Sequence, residues 1–177
     1  MPFISCRIFR PSLCIVLLGL LMIGGGSLAA WARSPQHAAD WNAPAIDWKD
    51  IASGIKEATR TGKQVVMVFH APWCSSCKKF REVFKDPSVI EVSRNFVMIL
   101  IDADADKVAN GAFAPDGTYV PRTIFLDWEG NIRTELRGST DPEHPHTIDI
   151  SGPGELLSLM RKAAGPAAVT SGEQARQ

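Results

Sequence analysis

Between residues 65 and 80 the chain reads Val65-Val66-Met67-Val68-Phe69-His70-Ala71-Pro72-Trp73-Cys74-Ser75-Ser76-Cys77-Lys78-Lys79-Phe80. A continuous, Val-rich apolar run of this length reads as a strand covered on both faces. Pro72 ends it, because proline brings no N–H to a ladder. The spacing of Phe80, Val83 and Phe84 predicts a helix that begins near Cys74 and turns those side chains inward. A C-x-x-C therefore sits where a buried strand hands over to a helix. The first turn of a helix holds unpaired N–H groups and a partial positive charge. Both favour a thiolate at Cys74, the reactive form of cysteine. The N–H groups of Ser76 and Cys77 are placed to point at that sulfur, and Lys78 adds a positive charge. Cys77, further into the helix, is placed to attack a mixed disulfide and release its partner.

Around this junction the elements alternate. Trp48, Ile51, Ala52, Ile55 and Ala58 recur at helical spacing, with Asp47 as N-cap and Gly62 as the stop. Asp86-Pro87 reads as a cap followed by proline at the first helical position, starting a short helix through Val92. Phe96–Ile101 and Arg122–Asp127 read as strands. Glu129-Gly130-Asn131 turns the chain into a fourth strand over Ile132–Arg137. The polar stretch Asp102–Thr118 reads as a loop with one helical turn, Gly138–His146 as an irregular excursion and Thr147–Ile150 as a short strand. Gly154–Ala164 closes with an amphipathic helix carrying Leu156, Leu157, Leu159 and Met160. This order predicts an α/β fold, a mixed central sheet flanked by helices on both faces.

Composition narrows the function. The 177 residues hold 19 Lys+Arg and 19 Asp+Glu, so no basic field exists to attract nucleic acid. Apolar residues make up 45%, too many for a disordered chain. Four cysteines are too few for a disulfide-dense scaffold and too unevenly spaced for a four-cysteine zinc site. Residues 1–32 hold Arg7 and Arg10 and no acid, then an apolar run Leu13–Ile23, then Gly24-Gly25-Gly26 and Ala30-Trp31-Ala32. This is the layout of a secretory signal peptide cut after Ala32. The alternative is an uncleaved N-terminal membrane anchor, since Pro11–Ala32 is uncharged. Cleavage removes Cys6 and Cys14 and leaves Cys74 and Cys77 in an extracytoplasmic, such as periplasmic, protein. The remaining chain holds 17 basic and 19 acidic groups, a formal net charge of −2. A bridge across so short a loop removes little unfolded-state entropy, so chemistry explains the pair better than stapling. The expected organisation is a linker over 33–45, one domain over 46–165 and a flexible tail over 166–177.

The stretch from Gly62-Lys63-Gln64 through Trp73-Cys74-Ser75-Ser76-Cys77-Lys78 resembles the active-site region of thioredoxin-fold thiol:disulfide oxidoreductases. More narrowly, it resembles the C-terminal domain of the bacterial transmembrane thiol:disulfide interchange reductase. It is also similar to the small thioredoxin-domain proteins of the endoplasmic reticulum related to the anterior gradient proteins, where a strand ending in His precedes Trp-Cys-x-x-Cys. The likeness continues at Asn95–Met98, Phe113–Arg122, Phe125-Leu126-Asp127 and Gly130, covering most of Trp48–Ala164. The resemblance implies a thioredoxin fold, a redox disulfide Cys74–Cys77 and no cofactor. It implies that Pro121 is the family's cis-proline beside the sulfurs and that Val120 offers its backbone to an extended substrate segment. Trp73 then shields the cysteine pair or supports substrate. The partners implied are client proteins with cysteines or disulfides and a membrane electron donor, which makes reduction the first choice of direction and oxidation or isomerisation the second. Two departures stand out. The family usually places a buried carboxylate six residues before the first cysteine, where this chain has Val68; His70 and Lys78 are then the candidate proton acceptors for Cys77. The Ser75-Ser76 pair between the cysteines matches neither strong oxidants nor strong reductants.

Other clusters carry less. Asp102, Asp104 and Asp106 begin like a calcium loop, but Lys107 stands where glycine is needed and Phe113 where a bidentate glutamate is needed. His144 and His146 could join Cys74 and Cys77 around copper or zinc, which makes a metallochaperone the second reading; the family's cis-proline would block metal there, and a solvated loop is favoured. A non-catalytic interaction domain with a structural disulfide is the third. Trp41, Trp48 and Trp128 are assigned to packing or to no role. No heptads are present, which leaves a monomer as the expected state.

Overall fold

In the computed structural model β2 (Val65–His70) is the central strand, and its register explains the rest. It pairs in parallel with β3 (Val97–Asp102), from Val65 opposite Val97 to His70 opposite Asp102. On its other edge it runs antiparallel to β4 (Arg122–Leu126), with Val68 opposite Thr123. A two-residue β1 (Trp48–Lys49) lies parallel to β3 on the far side, giving the order β1-β3-β2-β4. The description covers residues 34–43 and 45–165; the expected signal segment and tail lie outside it. Among the described residues no helix is long and apolar enough to cross a membrane.

Every residue of β2 is buried, as a strand covered on both faces requires. Successive side chains alternate between faces. Val66 and Val68 join Met98, Leu100 and Phe125 in a core completed by α2 (Ser75–Val83), α3 (Pro87–Ser93) and α5 (Gly154–Ala164). Val65, Met67 and Phe69 join Ile99, Ile101, Ile124 and Leu126 on the opposite face, under α1 (Ile51–Thr61) and α4 (Lys107–Ala112). Gly62 ends α1 in the left-handed region at φ 70°, where a side chain would be strained.

Several elements differ from the sequence reading, for identifiable reasons. Trp48 belongs to β1, not to the first helix; α1 starts at Ile51, and its cap is Asp50, not Asp47, with Asp50 Oδ1 accepting the Ser53 N–H at 2.9 Å. The apolar spacing overran because Trp48 is a buried apolar residue directly ahead of the helix. The stretch read as a linker packs against the domain. A 3-10 turn over Ala38–Trp41 buries Ala38 and Trp41. The Trp41 ring meets Trp48, Phe80 and Phe84 at centroid distances of 6.3, 6.0 and 5.4 Å. Its carbonyl accepts the Trp48 Nε1–H at 2.6 Å, and Asn42 Nδ2 donates to Phe84 O at 2.9 Å. The expected fourth strand contributes one bridge, Ile132 to Leu126, and the bond from Arg133 N–H to Phe125 O at 2.9 Å. The expected strand at Thr147–Ile150 is irregular too. Leu136 and Ile148 fill the core as single side chains from loops.

Candidate redox site

Cys74 is the N-cap of α2, in extended conformation, and its Sγ accepts the Cys77 N–H at 3.0 Å. The local sequence produces this geometry. The Cys74 N–H reaches back to Ala71 O at 3.1 Å, closing a turn around Pro72, while Cys74 O receives the Lys78 N–H at 3.2 Å and starts the helix. Among the described residues the hydrogen bond to Cys74 Sγ comes from Cys77; the second N–H expected from Ser76 is not part of it. Cys74 and Cys77 are disulfide-bonded. Both are buried, 4% and 2% exposed, so exposure barely separates them. What separates them is the bonding: one sulfur sits at the helix mouth on a backbone N–H, and the other lies inside the first turn. Lys78 is on the surface one residue further on.

The Val120–Pro121 peptide is cis, and Val120 O lies 3.7 Å from Cys74 Sγ. Trp73 is 69% exposed beside the pair, and its Nε1–H donates to Asp104 Oδ2 at 2.7 Å. Trp73 therefore stands at the rim as an exposed ring fixed at its polar end. The three aspartates that begin like a calcium loop have separate local partners. Asp102 Oδ1 accepts the N–H groups of Asp104 and Ala105, Asp104 holds Trp73, and Asp106 caps α4 through the Ala109 N–H.

Sequence reasoning missed how the proline loop is held. Arg122 is fully buried at the start of β4, its guanidinium 4.2 Å from the centroid of the Phe69 ring. It donates to Tyr119 O at 2.9 Å, and to Asn110 O and Oδ1 at 3.0 and 2.7 Å. Burial pushes its pKa down. The Tyr119 hydroxyl bonds Asp116 and accepts the His146 N–H at 2.9 Å, while His146 Nδ1 lies 2.9 Å from Asp116 Oδ1. Burial raises the Asp116 pKa, but the bonds from Tyr119 and His146 outweigh it and leave the carboxyl below its usual value. The only hint in the sequence was an arginine opening an otherwise apolar strand directly after Pro121. His146 is thus tied to Asp116, and His144 pairs with Asp141 at 3.0 Å. Among the described residues no group of three or more His, Cys, Asp or Glu side chains is gathered to hold a metal ion.

His70, the last residue of β2, continues the Val66–Val68 face and is buried. Its Nε2 has no hydrogen-bond partner among the described residues. Val68, where a carboxylate was missed in the sequence, is buried among apolar neighbours.

A buried disulfide capping a helix after the central strand of a mixed sheet, with a cis-proline loop against it, defines a thioredoxin-type redox domain. Residues 47–127 match the family model described as thioredoxin-like. Those residues form a thioredoxin-like domain of the disulfide-oxidoreductase kind. It is 26% identical over 156 residues to anterior gradient protein 3 of Mus musculus, covering 86% of this chain and 92% of that protein. It is 33% identical over 85 residues to the thiol:disulfide interchange protein DsbD of Ralstonia nicotianae, covering 46% of this chain and only 14% of that protein. The solution structure of a thioredoxin from Thermus thermophilus shares the fold, with a TM-score of 0.52 and 18% identity over 70% of this chain and 93% of that one.

Proposed function

We propose that the protein is exported and reduces disulfides of client proteins through Cys74 and Cys77. The observation that carries this reading is Cys74 Sγ at the mouth of α2, accepting the Cys77 N–H at 3.0 Å. A donor in that place stabilises a negative sulfur once the pair is reduced. Cys74 thiolate attacks one sulfur of a client disulfide, and the other client sulfur leaves as a thiolate that takes a proton from solvent. Cys77 loses its proton and attacks Cys74 Sγ; the Cys74–client bond breaks, and the second client sulfur leaves as a thiolate. Two electrons pass to the client, and the Cys74–Cys77 disulfide is restored. Val120 and Pro121 offer the backbone against which an extended client segment lies, and Trp73 flanks it. Likeness to a protein named for thiol:disulfide interchange supports exchange through the Cys74–Cys77 pair, with reduction fed by a membrane electron donor as the direction proposed. The apolar run Leu13–Ile23 and the Ala30-Trp31-Ala32 site support export.

The test is a Cys77→Ser variant, which removes the resolving sulfur. It traps client proteins as disulfides to Cys74, separable on non-reducing gels and released by reductant. A variant that traps nothing, while Cys74 reacts freely with iodoacetamide, contradicts the reading.

A further inference from the structure

A cavity of about 190 Å³ lies beside Cys77, and the N-terminal arm helps to build it. Cys77, Lys78 and Arg81 line it from α2, His70 from the end of β2, and His37, Asp40 and Trp41 from the arm. It is wide enough to admit water. His70 lines it, and its buried Nε2 has no hydrogen-bond partner among the described residues, an arrangement that demands an explanation in a folded core. The imidazole is neutral, because burial pushes its pKa down to about 4 against the opposing pull of Asp102. A neutral imidazole has one nitrogen that accepts a proton and another that gives one up. Beyond it the His37 ring stands edge-on, 5.7 Å from centroid to centroid. His37 Nδ1 is 3.6 Å from Asp40 Oδ2, and its Nε2 is 3.7 Å from Asp102 Oδ2.

Charge in and around the cavity is divided. Lys78 and Arg81 of α2 oppose a further positive charge, while Asp40 of the arm and Asp102 of β3 favour one. Both carboxylates flank His37, and that ring reaches solvent at 30% side-chain exposure. His70 is thus the inner, neutral station and His37 the outer one, with partners for a charge.

We propose that His70 accepts the proton Cys77 loses when it attacks the mixed disulfide, and that His37 relays it between His70 and solvent. Resting on the exchange reading above, this makes the N-terminal arm a working part of the redox site. The cysteine S–H bond breaks and the proton goes to a His70 ring nitrogen, whose other N–H passes a proton outward to His37. The thiolate electron pair forms the Cys77–Cys74 bond as the client thiolate departs. His70 takes the place of the missing carboxylate, and His37 is a positioning residue acting through it.

The test is the pH profile of closure. The reduced protein is mixed with excess oxidised glutathione from pH 5.5 to 9.5, and acid-quenched samples are weighed to separate the glutathione adduct on Cys74 from the closed disulfide. In His70→Asn and His37→Asn the adduct accumulates, and closure at pH 6.5 slows by about tenfold or more, in the range of a lost general base. The deficit fades toward pH 9.5, above the thiol pKa of about 8.5, where Cys77 ionises unaided. Equal slowing at every pH, or none, overturns the relay. His37→Asn lies on the half-buried arm at a left-handed φ that asparagine tolerates, so the test stands even if His70→Asn fails to fold. A wild-type protein that forms neither adduct nor disulfide overturns the exchange reading itself, and the relay with it.

Discussion

Trp41→Ala measures how firmly the arm belongs to the domain. Trp41 is 2% exposed, and its ring packs against Trp48, Phe80, Phe84 and His70. A buried tryptophan removes about 150–250 Å² from water. At about 25 cal/mol per Å² that is roughly 4–6 kcal/mol, an upper bound because the unfolded chain is itself partly compact. Alanine recovers a little, and the cavity left behind adds cost, so the net loss is about 3–5 kcal/mol. The Trp41 carbonyl that binds Trp48 Nε1 survives the substitution. Urea unfolding followed by far-UV circular dichroism at 25 °C gives the number, with an unchanged slope and a lower midpoint. The melting temperature falls by about 10 °C, at roughly 2–4 °C per kcal/mol for a chain of this size. Trp128→Ala, at a ring 42% exposed, is the control and stays within about 0.5 kcal/mol. A Trp41→Ala cost below about 1 kcal/mol refutes the packed arm and removes the outer wall of the His37–His70 cavity.

Three further outcomes follow from the same structure. The unfolded chain protonates His70 near 6.5 and the folded chain only near 4, so the unfolded state holds more protons between those values. The His70 contribution to stability is therefore full above pH 6.5 and falls by roughly 3 kcal/mol as pH drops to 4; urea midpoints show this slope, and His70→Asn lessens it. Arg122→Met leaves Tyr119 O and the two Asn110 oxygens without their donor and costs about 2–4 kcal/mol in urea unfolding. Tyr119→Phe leaves the His146 N–H without its acceptor and costs about 1–3 kcal/mol in the same assay, with faster amide exchange at His146 by NMR.

The redox junction was legible because its information is local. Five apolar residues, a proline and the cysteine spacing place a strand, a turn and a capped helix without reference to the rest of the chain. Asp86-Pro87 was legible for the same reason: the cap and the first helical residue are adjacent, and Asp86 accepts the Ser88 N–H as such a cap does. The arm was not legible. Pro35, Pro44 and the alanines carry no periodicity, and a single Trp41 anchors the segment by contacts with residues far along the chain. The alternation Ile132, Thr134, Leu136 suggested a strand, but a strand exists only where a partner edge accepts a row of bonds. The outer edge of β4 is shared instead among Asn131, Arg133 and His146. The proline-loop network joins Asp116 to His146 across 30 residues, a proximity that only the tertiary fold creates. The histidine pair 144 and 146 resembled metal ligands because its carboxylate partners could not be seen from spacing.

The central claim is that the start of α2 makes Cys74 an acidic, attacking sulfur. Reduced protein is alkylated with iodoacetamide across pH 4 to 10, and mass spectrometry assigns the modified cysteine at each pH. Cys74 is modified first, with a midpoint below the value of about 8.5 for a free thiol. A midpoint at or above that value, or prior modification of Cys77, contradicts the account.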